Sequence, residues 1–208
     1  MIKKCSPIIR AAACAPAIAA LAPSAPAQKE KERLEDHMVL NYHLMHPGGQ
    51  NRVGDPNAAF YLDGVYHLHY ILRHPWKMAE NGSFSFVHIT SPDMLHWTWQ
   101  TTKLQPSFTG HGMFSSTCFL TKDGKPAVIY YGQNSDPRRN FIAIAKNLAL
   151  SAWEKPYPVE VDGAPANMVH FDPDAFLIGD TYYAINGGQN PPVFKSKDLK
   201  KWTYLGPF

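Results

Sequence analysis

A three-part phrase recurs along this chain and restricts its fold more than any other feature. Gly54-Asp55-Pro56-Asn57-Ala58 leads into Phe60-Tyr61-Leu62-Asp63-Gly64-Val65-Tyr66-His67-Leu68-His69-Tyr70, and Ser91-Pro92-Asp93-Met94-Leu95-His96-Trp97 follows. A second copy opens at Phe114-Ser115-Ser116-Thr117, turns at Lys122-Asp123-Gly124 and closes at Asn147-Leu148-Ala149-Leu150-Ser151-Ala152-Trp153. A third runs from Phe171-Asp172-Pro173-Asp174 through Ile178-Gly179-Asp180 to Ser196-Lys197-Asp198-Leu199-Lys200-Lys201-Trp202. The closing tryptophans, 97, 153 and 202, are 56 and 49 residues apart, and positions 55, 115 and 172 are 60 and 57 apart. A period of this size, with several short strands in each unit, is the mark of a β-propeller blade.

The runs between the turns support an all-β reading. Val65–Tyr70, Phe84–Ile89, Ala127–Tyr131, Phe141–Ala145 and Thr181–Ile185 are alternating or apolar and are bounded by Asp-Gly, Gly-Asp, Pro and Asn. Each copy parses as four strands: the first starts at Asp55, Ser115 or Asp172, and the second follows an Asp-Gly or Gly-Asp hairpin. The third holds Val87, Ile144 or Val193, and the fourth starts at Trp97, Trp153 or Trp202. The expected blades are 38–106, 107–160 and 161–208. First strands of successive blades line one channel, so residues at their exposed ends converge on a shared pocket.

Residues 1–27 differ from the rest. Lys3, Lys4 and Arg10 precede an Ala-rich apolar stretch, and Ser24-Ala25-Pro26-Ala27 offers small residues for cleavage, the order of a secretory signal peptide. Lipoprotein processing at Cys14 and an Ala/Pro leader are the alternatives. The apolar run is too short and Pro-broken to span a bilayer, so no membrane span is expected. Residues 28–37 are a charged linker, and 38–208 form the partial propeller. Without the leader, 20 basic and 17 acidic groups become 17 and 17, so the net charge falls from +3 to zero. The basic balance belongs to the leader, and nucleic-acid binding has no support. Cys118 alone remains, which gives no internal disulfide; it reads as a small buried residue.

The residues now described carry a family resemblance. His46-Pro47, Gly54-Asp55-Pro56-Asn57, Tyr61–Tyr70 and Phe86–Trp97 resemble the opening of glycoside hydrolase family 32, the invertase, levanase and fructan hydrolase group. Gly112-Met113-Phe114-Ser115 is similar to that family's Phe-Ser segment and Phe171-Asp172-Pro173 to its Arg-Asp-Pro segment. The likeness runs from about residue 42 to the last residue. It implies a five-bladed propeller and retaining hydrolysis of β-fructosides or a related furanoside, without a cofactor. In the family pattern Asp55 matches the nucleophile and Asp172 the carboxylate that stabilises the transition state through sugar hydroxyls. The chemistry explains the need: an oxocarbenium-like transition state takes a carboxylate on one face and an acid on the leaving oxygen. Asp before Pro also stabilises turns, and Asp174 competes for the second role.

The resemblance places the proton donor, a Glu in a Glu-Cys motif, beyond Arg-Asp-Pro. Here Glu80, Glu154 and Glu160 are the glutamates after the linker, and none occupies a strand-start position equivalent to Asp55. The chain is therefore expected to be a truncated N-terminal fragment, inactive alone, of a secreted or periplasmic glycosidase acting on an oligo- or polysaccharide. Substrate-binding candidates are Asn57, Trp76, Phe114, Ser115 and Phe171, with the polar turn Asn134–Arg139 matching a family loop near the pocket. Several family groups are replaced: Arg52-Val53-Gly54 stands for Trp-Met-Asn, Ala58 for Gly, Ile71 for Gln and Phe171 for Arg. A site built on hydrogen bonds discriminates strongly, so these changes bear on the sugar. An inverting family 43-type arabinan or xylan hydrolase and a non-catalytic carbohydrate-binding propeller are the alternatives. His43, His46, His67, His69 and His88 suit packing or substrate hydrogen bonds better than a metal, lacking closely spaced acidic or Cys partners.

Overall fold

The computed structural model describes Leu44, His46 and residues 52–73 and 84–208. The described residues form three sheets, antiparallel but for one strand, and one four-residue helix. The first sheet is β1 (Arg52–Leu62), β2 (Val65–Arg73), β3 (Phe84–Ser91) and β4 (Thr98–Trp99), in that order. Helix α1 (Pro106–Thr109) leads to the second, of β5 (Gly112–Leu120), β6 (Pro126–Gln133), β7 (Asn140–Ile144) and β8 (Tyr157–Pro158). The third is built from β9 (Glu160–Asp162), β10 (Asp174–Ile178), β11 (Thr181–Ile185), β12 (Pro192–Ser196) and β13 (Lys201–Pro207), in the order β10-β11-β12-β13-β9. Consecutive four-strand meanders with hairpin connections are blades of a β-propeller. Strand β9 departs from that plan: it lies parallel to β13, with Glu160, Val161 and Asp162 opposite Lys201, Trp202 and Thr203.

Local chemistry explains the turns. The β1–β2 hairpin turns on Asp63 and Gly64, both at positive φ (48° and 80°), the geometry an Asp-Gly turn supplies. The phrase that ends each blade shares a less visible device: the residue three before the tryptophan is left-handed in every copy, with φ 63° at Met94, 54° at Leu150 and 65° at Leu199. Side-chain oxygens hold these turns. Asp93 accepts the backbone N–H of Leu95 and His96, and Asp198 those of Lys200 and Lys201. These bonds hold both carboxyls below the usual carboxylate range. In the second blade Asn147 takes over, accepting from Ser151. The indoles of Trp153 and Trp202 donate back to the carbonyls of Leu150 and Leu199, both at 3.0 Å.

The core lies between the sheets. Ala58, Phe60, Ile71 and Phe86 of the first sheet interlock with Met113, Val128, Tyr130 and Trp153 of the second. Phe119, Ala127, Ile129 and Ile142 on the second sheet's other side meet Ala175, Tyr182, Ala184, Phe194 and Trp202 of the third. Trp97 packs on a smaller cluster of Tyr70, Leu72, Val87 and Ile89. The first strands are direct neighbours: the Cys118 thiol donates to the Ala59 carbonyl at 2.8 Å, and Thr117 Oγ1 donates to Asp174 Oδ1 at 2.7 Å. Cys118 is half-buried, and burial raises its thiol pKa.

Several expected strand starts shift: β1 and β5 begin at Arg52 and Gly112, ahead of Asp55 and Ser115, and β4 begins at Thr98, just after Trp97. Asp172 lies two residues before β10, because its left-handed φ of 45° is incompatible with a pleat. Trp153 makes only an isolated bridge to Ala145, ahead of β8.

Histidines occupy part of this interior. His67 Nδ1 lies 2.9 Å from His88 Nε2, and the His69 ring stacks on His88 with centroids 4.5 Å apart. His111 packs against Phe141 and hydrogen-bonds Tyr130 at 2.9 Å. Burial is the main cause that lowers all four pKa values, taking His88 and His111 down to about 4.

Two measurements test this packing. Trp202→Ala should cost about 3–5 kcal/mol in urea unfolding, and Trp202→Phe, which loses the Leu199 bond but keeps most burial, clearly less. The unfolded chain takes up protons first as pH falls below 6.5, so stability should be lost between pH 6.5 and about 4. A shift of that size is worth roughly 3 kcal/mol per histidine, and His88→Gln should flatten the profile.

Candidate functional site

The three first strands present their starts at one end. Asn57 Oδ1 accepts the Ser116 N–H at 2.6 Å, and two residues further along each strand Ala59 meets Cys118. Strands β1 and β5 therefore run side by side in the same direction, and the Thr117–Asp174 bond sets β10 beside them. Asp55, Ser115 and Asp172 lie just upstream of these contacts, so the fold gathers them at one rim.

Backbone irregularity marks all three positions. The β1–β2 register shifts between Val53 and Pro56, leaving Gly54 and Asp55 out of the ladder, and the β5–β6 register shifts between Phe114 and Ser116, freeing Ser115. A bulge redirects a side chain at a sheet's end, and bulges are common beside active sites. Asp172 reaches its special position through the left-handed φ already noted. Its segment is fastened by the Gly187 N–H donating to the Phe171 carbonyl at 2.7 Å. Gly187 packs closely on this segment: a Cβ there would sit 3.1 Å from Asp172 Cβ and 3.3 Å from Oδ2, so Asp172 would have to give way slightly.

Asp55 and Asp172 are both exposed, and among the described residues neither carboxylate forms a hydrogen bond or ion pair. Asp174, the competitor for the second role, is engaged by Thr117. Asn57 is a brace as well as a binding candidate, since its Nδ2 also donates to the Asp55 carbonyl at 2.6 Å. Ser115 is buried. Phe114 is half-buried, edge-on to Phe84 at 5.5 Å. Phe171 is 51% exposed and sets its ring against Tyr131 at 5.2 Å. Trp76 and His43 lie outside the described residues. Among those described, no three His, Cys, Asp or Glu side chains gather to hold a metal ion.

Sequence reading passed over a network behind Asp172. Asn186 Nδ2 donates to the Val169 carbonyl, Asn140 Nδ2 to Asn186 Oδ1, and His170 Nδ1 to Asn140 Oδ1 at 2.8 Å. These residues are scattered over the second and third sheets, and only the fold joins them.

The family model for the glycosyl hydrolases family 32 N-terminal domain matches residues 43–208. This chain belongs to that family. Among its curated relatives, the family 32 chain is 26% identical over 201 residues to a fructan 6-exohydrolase of Beta vulgaris, covering 83% of this chain and 33% of the relative. It is 29% identical over 205 residues to a cell wall isozyme of β-fructofuranosidase from Zea mays, covering 88% and 33%. The crystal structure of fructan 1-exohydrolase IIa from Cichorium intybus superposes with a TM-score of 0.62 at 22% identity, covering 79% of this chain and 33% of that one. The chain thus spans about a third of the length of the curated relatives it matches, and the structural likeness establishes the propeller fold.

Gly187→Ala should displace Asp172 by steric contact alone. The Asp172 side chain should move by a few tenths of an ångström while the thermal midpoint shifts by only a few degrees, which a crystal structure of the variant and parallel melting measurements would check.

Proposed function

We propose that the full-length protein is a retaining glycoside hydrolase acting on β-fructosides or a related furanoside, with Asp55 as nucleophile and Asp172 as transition-state stabiliser. What supports this reading is that Asp55 and Asp172, the residues that resemble the family's motif aspartates, lie near the starts of first strands held side by side and form no hydrogen bond or ion pair among the described residues. The Asp55 carboxylate attacks the anomeric carbon as the glycosidic C–O bond breaks, and a carboxylic acid protonates the departing oxygen. Water then cleaves the glycosyl ester, returning Asp55 as a carboxylate. Asp172, with no protein partner among the described residues, keeps its lone pairs for sugar hydroxyls, where hydrogen bonds strengthen as positive charge develops on the ring. Asn57 holds the Asp55 backbone and the neighbouring β5 in one unit, which limits the nucleophile's freedom.

The proton donor is assigned to a part of the full-length protein outside these positions. Glu160 is tied to Arg139 at 3.2 Å, neither it nor Glu154 begins a first strand, and Glu80 lies outside the described residues. The substrate is a fructan, a fructosyl disaccharide or a close furanoside, as the names of the relatives suggest. Action outside the cytoplasm, after removal of residues 1–27, agrees with the leader's composition and with the cell wall relative.

A hydrolysis assay on levan, inulin, sucrose and arabinofuranosides tests the reading. Asp55→Asn in the full-length protein should lower kcat by roughly 10⁴-fold or more, with the fold intact by circular dichroism. Full activity in that variant would sink the nucleophile assignment.

A further inference from the structure

A second concavity opens at the same rim as Asp172. The β6–β7 loop and the segment preceding β10 enclose about 370 Å³, lined by Arg138, Arg139, Glu160, Pro165, Met168 and His170. The β6–β7 loop lies at this end because Gln133, its first flank, pairs with Gly112 at the start of β5. His170 is two residues from Asp172 in the chain, so the pocket adjoins the rim.

Its charges do not cancel. Arg139 shares Glu160, whereas Arg138 is exposed and has no partner among the described residues. The lining thus carries two arginines to one glutamate. The Asn186–Asn140–His170 network adds orientation: Asn140 donates through Nδ2, so its Oδ1 must accept, and the His170 proton resides on Nδ1. That fixes the imidazole in the pocket wall and leaves Nε2 without a hydrogen bond among the described residues. Pro165 and Met168 supply apolar lining against which a sugar ring can lie. Planar guanidinium forks match oxyanion geometry, and a saccharide hydroxyl beside the anion can donate to Nε2.

We propose that this pocket binds an oxyanion substituent, a uronate carboxylate or a sulfate or phosphate ester, on a saccharide whose neighbouring sugar occupies the Asp55–Asp172 rim. The inference rests on the reading of that rim as the saccharide site.

Calorimetric titration of the full-length protein tests it without depending on turnover. The probes are a trigalacturonate, a sulfated disaccharide, a neutral fructo-oligosaccharide, inorganic sulfate and inorganic phosphate. At least one charged saccharide should bind, and Arg138→Ala should weaken it roughly tenfold. Arg138→Glu should weaken it further, and His170→Gln should lower its affinity to a smaller extent. Binding of the neutral oligosaccharide should change less than twofold in both Arg138 variants. Failure of both charged saccharides to bind, or equal loss for charged and neutral probes, would overturn the proposal. Inorganic anions binding as tightly as the charged saccharides would reduce the pocket to an ion site and overturn it as well. If Arg138-dependent binding is found but no glycoside is cleaved, the pocket stands and the hydrolase reading falls; cleavage of neutral fructans without charged-saccharide binding gives the reverse.

Discussion

Everything at the rim depends on β5 being gripped from both sides. Its backbone and side chains meet β1 through Asn57 and Ala59, and β10 through Pro173 and Asp174. These are polar bonds between strands of different sheets, formed near the starts of the first strands. They work because the apolar faces behind them interlock: the cluster around Tyr130 clamps the first sheet to the second, and that around Trp202 clamps the second to the third. A hydrogen bond of this kind is worth only about 1 kcal/mol net. The hydrophobic interlock holds the sheets, and the polar bonds fix their register. Placement of Asp55 relative to Asp172 is thus a product of sheet packing more than of either loop.

Much of this arrangement was legible in the residues themselves. Turn chemistry at Asp63-Gly64 and alternation in β10 and β11 dictate hairpins without help from distant contacts. Recurrence of the tryptophans pointed to the blade plan, because a left-handed turn three residues earlier precedes each of them. The rim aspartates were legible through their Asp-Pro pairs and family pattern. Other features were hidden for physical reasons. Left-handed Met94, Leu150 and Leu199 are not residues that prefer that conformation; oxygens of Asp93, Asp198 and Asn147 impose it. Gly187 gives no local sign that Asp172 lies against it. The Asn186–Asn140–His170 chain depends on three segments meeting, and no spacing rule encodes that.

The buried histidines illustrate a tension within the core. His67, His69 and His88 fill space between sheets where aliphatic side chains would serve without a protonation cost, and His69 Nδ1 has no hydrogen-bond partner among the described residues. Such a cluster stacks well only while neutral. The clamp between the first two blades is therefore conditional on solution acidity, whereas the clamp between the second and third, built from Phe119, Ile129, Phe194 and Trp202, is not.

Strand β9 carries an implication about how the third blade is assembled. It precedes its sheet in the chain yet pairs with that sheet's final strand, so the blade is sewn shut by thread laid down before its first stitch. Val161 packs into the same cluster as Trp202, which anchors the thread on the apolar side too. Peeling of β13 must break a ladder on each of its edges, one to β12 and one to β9. Over Lys201–Thr203 the blade's outermost meander strand thus behaves mechanically as an interior one, and the ladder edge there passes to a three-residue strand, too short to template another chain.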